Sequence, residues 1–195
     1  MNGQGTAGRA VPANRYVVFF SVTTAGCLLD LATKRWVFHL LGMPGGPIWW
    51  LWPNVVGLQT SLNEGALFGL AQGWVGLFAV LSILAAVAIL VWLFYAGAAR
   101  DLLLTFALSC ISAGILGNLY DRLGLPGLTW LNHPAHGVGE PVYAVRDWIL
   151  VMIFGRPWPN FNLADSLLVC GAAMLVWQAL LSKPVGQSAP GTRTP

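Results

Sequence analysis

Carboxylate and amide side chains recur along this otherwise apolar chain, and their types restrict the chemistry it can perform. The candidates are Asp30, Lys34, Asn63, Asn118, Asp121, Arg122, Asp147, Asn162 and Asp165. Two carboxylates held close together cannot both ionise easily, so such a pair shares one proton. One member can then take a proton from water while the other protonates a carbonyl oxygen or a leaving amine. These residue types indicate a carboxylate-pair hydrolase, and a small proton-coupled membrane carrier that uses the same carboxylates fits almost as well.

Other kinds of site lack the residues that they need. No GxSxG nucleophile motif occurs, and the serines of the apolar segments have no His or Lys placed to activate them. His133 and His136 form an HPAH pair, but no third ligand follows at a metal-site spacing. The ten Lys and Arg residues are scattered, which argues against nucleic acid as a partner. We therefore expect neither a metal nor any other cofactor.

Hydropathy indicates the setting in which these side chains lie. Of the 195 residues, 56% are hydrophobic and only 9% are charged, whereas a soluble domain carries about a quarter charged residues. A membrane-spanning helix needs about 17–25 apolar residues. Four segments qualify, near residues 16–41, 74–97, 102–120 and 162–181. The sequence predicts an all-α membrane protein, a four-transmembrane-helix bundle.

The segments between the spans complete the predicted organisation. β-like sequence around Val55 to Leu62 predicts a small β-portion between the first two spans. A long loop, 121–161, is expected before the fourth helix. One domain, 1–183, would hold all four spans, and the tail 184–195 is expected to be disordered.

The number of spans brings the candidate residues to one side of the membrane. With four spans, the two long loops share the side opposite the termini, and the candidates lie on or near that side. The positive-inside rule finds five Lys and Arg residues on each side, so it does not assign the orientation. If these charges are only structural, Asp30 would neutralise Lys34 and Asp121 would neutralise Arg122. Because six acids face five bases there, at least one carboxylate is expected to lack a dedicated cation.

Five short blocks carry a family resemblance. In chain order they are DLATK (30–34), NEGALFG (63–69), GNLYDR (117–122), VRDW (145–148) and FNLAD (161–165). They resemble the successive signature blocks of the lipoprotein signal peptidases, the bacterial signal peptidase II enzymes. The resemblance implies a four-helix protein of the bacterial inner membrane with cytoplasmic termini, a small periplasmic β-portion and an active site toward the periplasmic leaflet. The implied reaction is aspartic-type cleavage of prolipoproteins just before a diacylglyceryl-modified cysteine.

The same resemblance implies a role for each candidate. Asp147 and Asp165 would be the catalytic aspartates. The residues that bind substrate or brace the site would be Asn63, Asn118, Arg122, Asn162, Asp30, Lys34 and Asp121. Arg122 is expected to need its forked guanidinium, whereas Arg146 is expected to tolerate lysine. The expected partners are diacylglyceryl-modified prolipoproteins and membrane lipid. We expect a monomer that cyclic peptide antibiotics of the globomycin type inhibit.

The connection between Arg122 and Asp147 is longer than is typical of this family. It includes NHPAHGVGEP, so Glu140 is a competing candidate for the first catalytic acid. The context VRDWI, with PNFNLAD following, favours Asp147. Because both ends of the loop lie beside the site, we expect a lid over the substrate entrance, anchored in the membrane interface by Trp130. A passive surface insertion is the alternative.

Overall fold

Four long helices dominate the computed structural model, which describes residues 10–65 and 73–181. They are α1 (Ala13–Leu41), α2 (Val75–Leu90), α3 (Leu102–Arg122) and α4 (Leu163–Leu181). A π-helical turn, Val91–Tyr95, extends α2. All four are long and apolar enough to cross a membrane, and they begin and end within three residues of the predicted spans. The tail 184–195 lies outside the described residues.

A tight connection makes α2 and α3 antiparallel neighbours. Gly97 has a φ of 78°, a left-handed conformation that ends the preceding helix at little steric cost. Asp101 then caps α3, because its Oδ1 accepts the Leu104 N–H at 3.0 Å. These local signals explain why the chain turns within a few residues.

Helix α3 is the centre of the bundle and contacts the other three helices. Two glycines on it have no room for a side chain. A Cβ at Gly114 would lie 2.4 Å from the Ala164 carbonyl oxygen of α4, and one at Gly117 would lie 2.4 Å from Asp30 Oδ2 of α1. Small residues of this kind let membrane helices approach closely. The close approach brings the polar end of α3 against the start of α4.

One antiparallel sheet covers the polar end of the bundle. Its strands, in spatial order, are β1 (Trp49–Trp52), β2 (Val56–Asn63), β3 (Val145–Ile153) and β4 (Arg156–Pro157). The predicted β-portion near Val55 to Leu62 is confirmed as β2. The predicted long connection 121–161 before the fourth helix contains regular structure, because β3 and β4 lie within it. Strand β3 forms by pairing with β2, which is far away in sequence, and a local pattern does not reveal such a partner.

The connection from α3 to β3 is itself folded, and we call residues 123–144 the loop unit. The Trp130 N–H donates to the Glu140 carbonyl oxygen at 2.9 Å, and Thr129 forms a β-bridge with Pro141. Trp130 is only 5% exposed and packs with Val142. The expectation that Trp130 anchors the loop in the membrane interface was therefore wrong. Its indole stabilises the loop unit from inside.

Candidate active site

Helix α4 begins with a capping box whose two side chains are both functional candidates. Asn162 Oδ1 accepts the Asp165 N–H at 2.9 Å, and Asp165 Oδ2 accepts the Asn162 N–H at 3.1 Å. This reciprocal arrangement satisfies N–H groups that a helix start leaves unpaired. Asp30 Oδ1 of α1 accepts a further one, from Ala164, at 2.9 Å. The spacing Asn-x-x-Asp before an apolar run is a sequence signal for this cap, and the cap fixes both side chains.

Two asparagine amides connect Asp147 with Asp165. Asn162 Nδ2 donates to Asp147 Oδ1 at 2.7 Å, and Asn118 Nδ2 donates to Asp165 Oδ1 at 2.8 Å. Asn162 Nδ2 also lies 3.1 Å from Asn118 Oδ1 and donates to it. A continuous hydrogen-bonded chain therefore runs from Asp147 through Asn162 and Asn118 to Asp165. Four of the predicted site residues are thus brought together from α3, β3 and the start of α4.

Asp147 lies on β3, where it pairs with Ser61 of β2, and this strand places it at one end of the hydrogen-bonded chain. Its side chain is almost completely buried, with 2% exposure. The pKa of Asp147 rises from 3.8 to about 8, chiefly because burial disfavours the charged form and secondly because Asp165 is a nearby like charge. Hydrogen bonds from Asn162 and Asn63 and the charge of Lys34 oppose this rise in pKa. Asp147 is consequently protonated at neutral pH.

Behind the amides lies a buried network of four charges. Lys34 Nζ lies 2.8 Å from Asp30 Oδ2 and 3.1 Å from Asp121 Oδ2, and it donates to Asn118 Oδ1 at 2.9 Å. Its three ammonium protons therefore have three partners. Arg146 contacts Asp121 Oδ1 through Nε at 2.9 Å and Nη2 at 2.8 Å, and its backbone N–H donates to Oδ2 at 3.0 Å. Two carboxylates and two cations balance, and the network holds Asn118 in place.

This network contains one predicted ion pair and revises two expectations. Asp30 and Lys34 form the pair that their spacing predicts. The pairing of Asp121 with Arg122 was wrong, because consecutive helical residues do not face each other and Asp121 instead contacts Lys34 and Arg146. Arg146 is 6% exposed and its guanidinium contacts the Asp121 carboxylate through two nitrogens, so in place of a mild effect we now expect Arg146→Lys to be costly. The sequence signal for this role was the position of Arg146 directly before Asp147, because successive residues of a strand face opposite sides of the sheet and can contact different parts of a site.

A cavity of about 830 Å³ opens beside the aspartates. Its polar wall includes Asn63, Asn118, Arg122, Asp147 and Asp165. It continues along the helices between Ser82, Gly114, Ile115 and Leu168. The cavity therefore joins the buried carboxylates to a cleft that runs along the membrane-spanning segments.

Arg122 and Asn63 lie in the wall of this cavity at the junction of helices and sheet. Arg122 Nη2 is 3.4 Å from the Gly65 carbonyl oxygen, and its Cζ lies 5.5 Å from the centroid of the Phe78 ring. Arg122 Nε is buried and has no hydrogen-bond partner within residues 10–65 and 73–181. Asn63 Oδ1 accepts the Gly65 N–H at 3.0 Å, which shapes the turn after β2. Both side chains can offer donors to a ligand in the cavity.

The histidines of the HPAH segment contact carboxylates outside this hydrogen-bonded chain. His136 Nε2 is 2.5 Å from Glu64 Oε1, and its Nδ1 is 3.6 Å from Glu140 Oε2. In the part of the chain that the structure describes, no three His, Cys, Asp or Glu side chains form a group that fits a metal ion. That the protein needs no metal stays a prediction. Glu140 lies in the loop unit, away from the chain that joins Asp147 to Asp165.

Comparisons with known proteins identify the family and the fold of this chain. The family model for signal peptidase (SPase) II matches residues 22–181. The chain belongs to the signal peptidase II family. A lipoprotein signal peptidase of Rhodopirellula baltica is 45% identical over 201 residues, which cover 96% of this chain and 85% of that protein. One of Serratia proteamaculans is 34% identical over 167 residues, covering 83% of this chain and 85% of the relative.

Solved structures resemble this member of the signal peptidase II family over nearly their whole length. One bacterial membrane enzyme has a TM-score of 0.67 at 23% identity and covers 92% of this chain and 97% of its own. Another has a TM-score of 0.64 at 26% identity, with coverage of 89% and 97%. These similarities support a multi-pass membrane protein with the same fold.

The carrier hypothesis does not fit this signal peptidase II family member. A carrier needs polar side chains spread through the depth of the bilayer to form a path. Helix α2 carries no charged residue, and the charges of α3 and α4 lie at one end, at Asp121, Arg122 and Asp165. The distribution of charge and the family membership both favour a peptidase.

Proposed function

We propose that the protein is a membrane-embedded aspartic endopeptidase that removes the signal peptide from prolipoproteins just before the diacylglyceryl-modified cysteine. The observation that carries this proposal is the hydrogen-bonded chain from Asp147 through Asn162 and Asn118 to Asp165. It lies in the wall of a cavity that extends along the helices, where a membrane-embedded peptide can reach it. Relatives that are lipoprotein signal peptidases support the substrate class.

The two aspartates divide the acid–base work. Asp165 accepts N–H donors on both oxygens, which orients the carboxylate to take a proton from water. The water oxygen then bonds to the scissile carbonyl carbon, and Asp147, protonated at neutral pH, gives its proton to the carbonyl oxygen. As the C–N bond breaks, Asp165 protonates the leaving amine, and Asp147 regains a proton from a hydroxyl of the tetrahedral intermediate. Both aspartates return to their starting states.

The remaining candidates position these groups and the substrate. Asn162 and Asn118 hold Asp147 and Asp165, which we call the dyad, through their amides. Arg122 and Asn63 bind the substrate main chain from the cavity wall. The buried charges that support them are Asp30, Lys34 and Asp121. Removing a supporting charge therefore acts on the aspartates indirectly, through the amides.

The proposed setting is the bacterial inner membrane, with cytoplasmic termini and the sheet and active site toward the periplasmic leaflet. This orientation places the site at the depth where a lipid-modified cysteine meets the outer leaflet. One domain, 1–183, acts as a monomer on diacylglyceryl-modified prolipoproteins within membrane lipid. Cyclic peptide antibiotics of the globomycin type inhibit it by occupying the cavity beside the dyad.

Cleavage of a lipidated prolipoprotein by the purified, reconstituted protein tests the proposal. Asp147→Asn and Asp165→Asn each keep the side-chain shape and remove the titratable proton, so each should lower turnover by at least about a thousandfold. Asp101→Asn is a matched control at the other end of α3, where asparagine also caps a helix well. Near wild-type turnover in either dyad variant would refute the aspartic mechanism. A product cut elsewhere than before the cysteine would refute the proposed cleavage site.

A further inference from the structure

A second cavity, of about 480 Å³, meets the first at Arg122, and no other described residue lines both. Its walls are Glu64 after β2, Gly73, Val75 and Gly76 at the start of α2, and Trp130, His136, Glu140, Pro141 and Tyr143 of the loop unit. The proposed reaction uses none of these residues except Arg122. The second cavity borders the active-site cavity at Arg122, and the proposed reaction assigns it no occupant.

The loop unit forms one wall of this cavity, and a contact between His136 and Glu64 attaches it to the residue that follows β2. His136 Nε2 contacts Glu64 Oε1 at 2.5 Å, and neither side chain is more than 27% exposed. The His136 ring stacks on the indole of Trp130, with 4.6 Å between centroids and 4° between planes. Trp130 is itself held between the backbone bonds to Glu140 and Gly139. The imidazole therefore joins the core of the loop unit to Glu64.

The two cavities differ in their relation to the membrane-spanning helices. The first extends along α2, α3 and α4 as far as Ser82, Gly114 and Leu168. The second is lined by residues outside the helices or in a terminal turn of α2 or α3. A prolipoprotein has the same division at its lipid-modified cysteine. Its signal peptide lies in the membrane, and the polypeptide that follows the cysteine lies outside.

We propose that the second cavity binds the polypeptide that follows the lipid-modified cysteine, and that Glu140 makes it favour basic over acidic segments. This inference rests on the proposed function. Val75, Pro141 and Tyr143 provide apolar walls for a peptide main chain. Glu64 Oε1 lies 2.5 Å from His136 Nε2, whereas Glu140 Oε2 lies 3.6 Å from His136 Nδ1 and the Glu140 side chain is 58% exposed, so the Glu140 carboxylate is the more accessible of the two to a bound segment. Arg122 connects the two cavities and so aligns both sides of the scissile bond.

His136 is a positioning residue in this scheme. It acts through the loop unit and does not contact the reacting atoms. Losing its contact with Glu64 should loosen the wall of the second cavity and leave the first cavity intact. Glutamine retains a donor that can reach a carboxylate, so His136→Gln should preserve what His136→Ala loses.

Three lipopeptides that share one signal peptide and one diacylglyceryl cysteine test the proposal. The first ends in an amide at the cysteine, the second continues with a Ser- and Lys-containing segment, and the third continues with a Ser- and Glu-containing segment. For the wild type, kcat/KM should be about two- to fivefold higher on the Lys than on the Glu substrate, the range of an exposed charge pair. Glu140→Lys should reverse this preference. Arg156→Glu, which changes an exposed charge on β4 outside both cavities, should preserve it.

The His136 variants separate binding of the extension from general stability. His136→Ala should raise KM for both extended substrates and leave kcat and KM on the shortest substrate unchanged, and His136→Gln should restore the wild-type KM. Equal losses on all three substrates would mean that the loop unit only supports the fold, which overturns the inference. The same follows if the wild type does not distinguish the Lys from the Glu extension. If the wild type cleaves none of the three, the proposed function fails and this inference fails with it.

Discussion

The acid–base role of Asp147 can be tested by removing its titratable proton, because burial makes ionisation of this side chain costly. Only 2% of the residue is exposed, and its pKa of about 8 compares with an ordinary 3.8. At 1.36 kcal/mol per pH unit, this difference amounts to about 6 kcal/mol. The perturbation is Asp147→Asn, which keeps the shape of the side chain and cannot ionise. The variant should be inactive at every pH.

The sign of the effect on stability follows from proton binding. The folded state binds the Asp147 proton more tightly than the unfolded state does. This proton binding therefore contributes fully to the free energy of unfolding below pH 3.8, and the contribution is lost as the pH rises to about 8. Between pH 6 and pH 9 the wild type should lose about 3 kcal/mol that Asp147→Asn does not lose. The difference in the free energy of unfolding between the two proteins should therefore change by that amount in favour of the variant.

Unfolding in detergent micelles, followed by tryptophan fluorescence at several pH values, measures this difference. Asp101→Asn, which alters the N-cap carboxylate of α3 outside the site, should follow the wild type at every pH. In the cleavage assay, wild-type activity should fall about tenfold per pH unit above pH 8, because the proton donor is lost. A constant stability difference from pH 6 to pH 9, or activity that rises from pH 7 to pH 9, would refute the reasoning.

Three further substitutions test the supporting residues. Arg146→Lys loses the forked contact with a buried carboxylate and should lower the free energy of unfolding by about 1–3 kcal/mol. The exposed Arg156→Lys should change it by no more than about 0.5 kcal/mol. Equal effects would show that Arg146 does not brace the site. Gly117→Ala would place a Cβ 2.4 Å from a carboxylate oxygen and should cost about 1–3 kcal/mol by thermal unfolding. Gly76→Ala, whose Cβ would have no atom of residues 10–65 and 73–181 within 4 Å apart from its chain neighbours and its own helix backbone, should be neutral, and a neutral Gly117→Ala would contradict the close packing. Arg122→Lys should lower kcat/KM by about ten- to hundredfold in the cleavage assay, and an unchanged value would exclude a role for the guanidinium fork.

The helical framework and several local contacts of the candidate site could be predicted from the sequence. Apolar length alone identifies the four spans, because a helix is the one local structure that satisfies its own backbone hydrogen bonds inside a bilayer. The signature blocks identify the family, and helical spacing predicts the ion pair of Asp30 with Lys34. The capping box of Asn162 and Asp165 is equally local, since its bonds span three residues. Each of these features depends on neighbours along the chain.

The partners across the fold were decided by the tertiary structure. Asp121 pairs with Arg146 and not with the adjacent Arg122, because β3 brings the Arg146 guanidinium to it. Asp147 lies on a strand and not in a loop, because pairing with the distant β2 stabilises β3. Trp130 is buried because the loop unit folds around it, although its type suits a membrane interface. In all three cases the contact joins residues that are distant along the chain or determines which face of an element is buried, and only the assembled fold specifies such contacts.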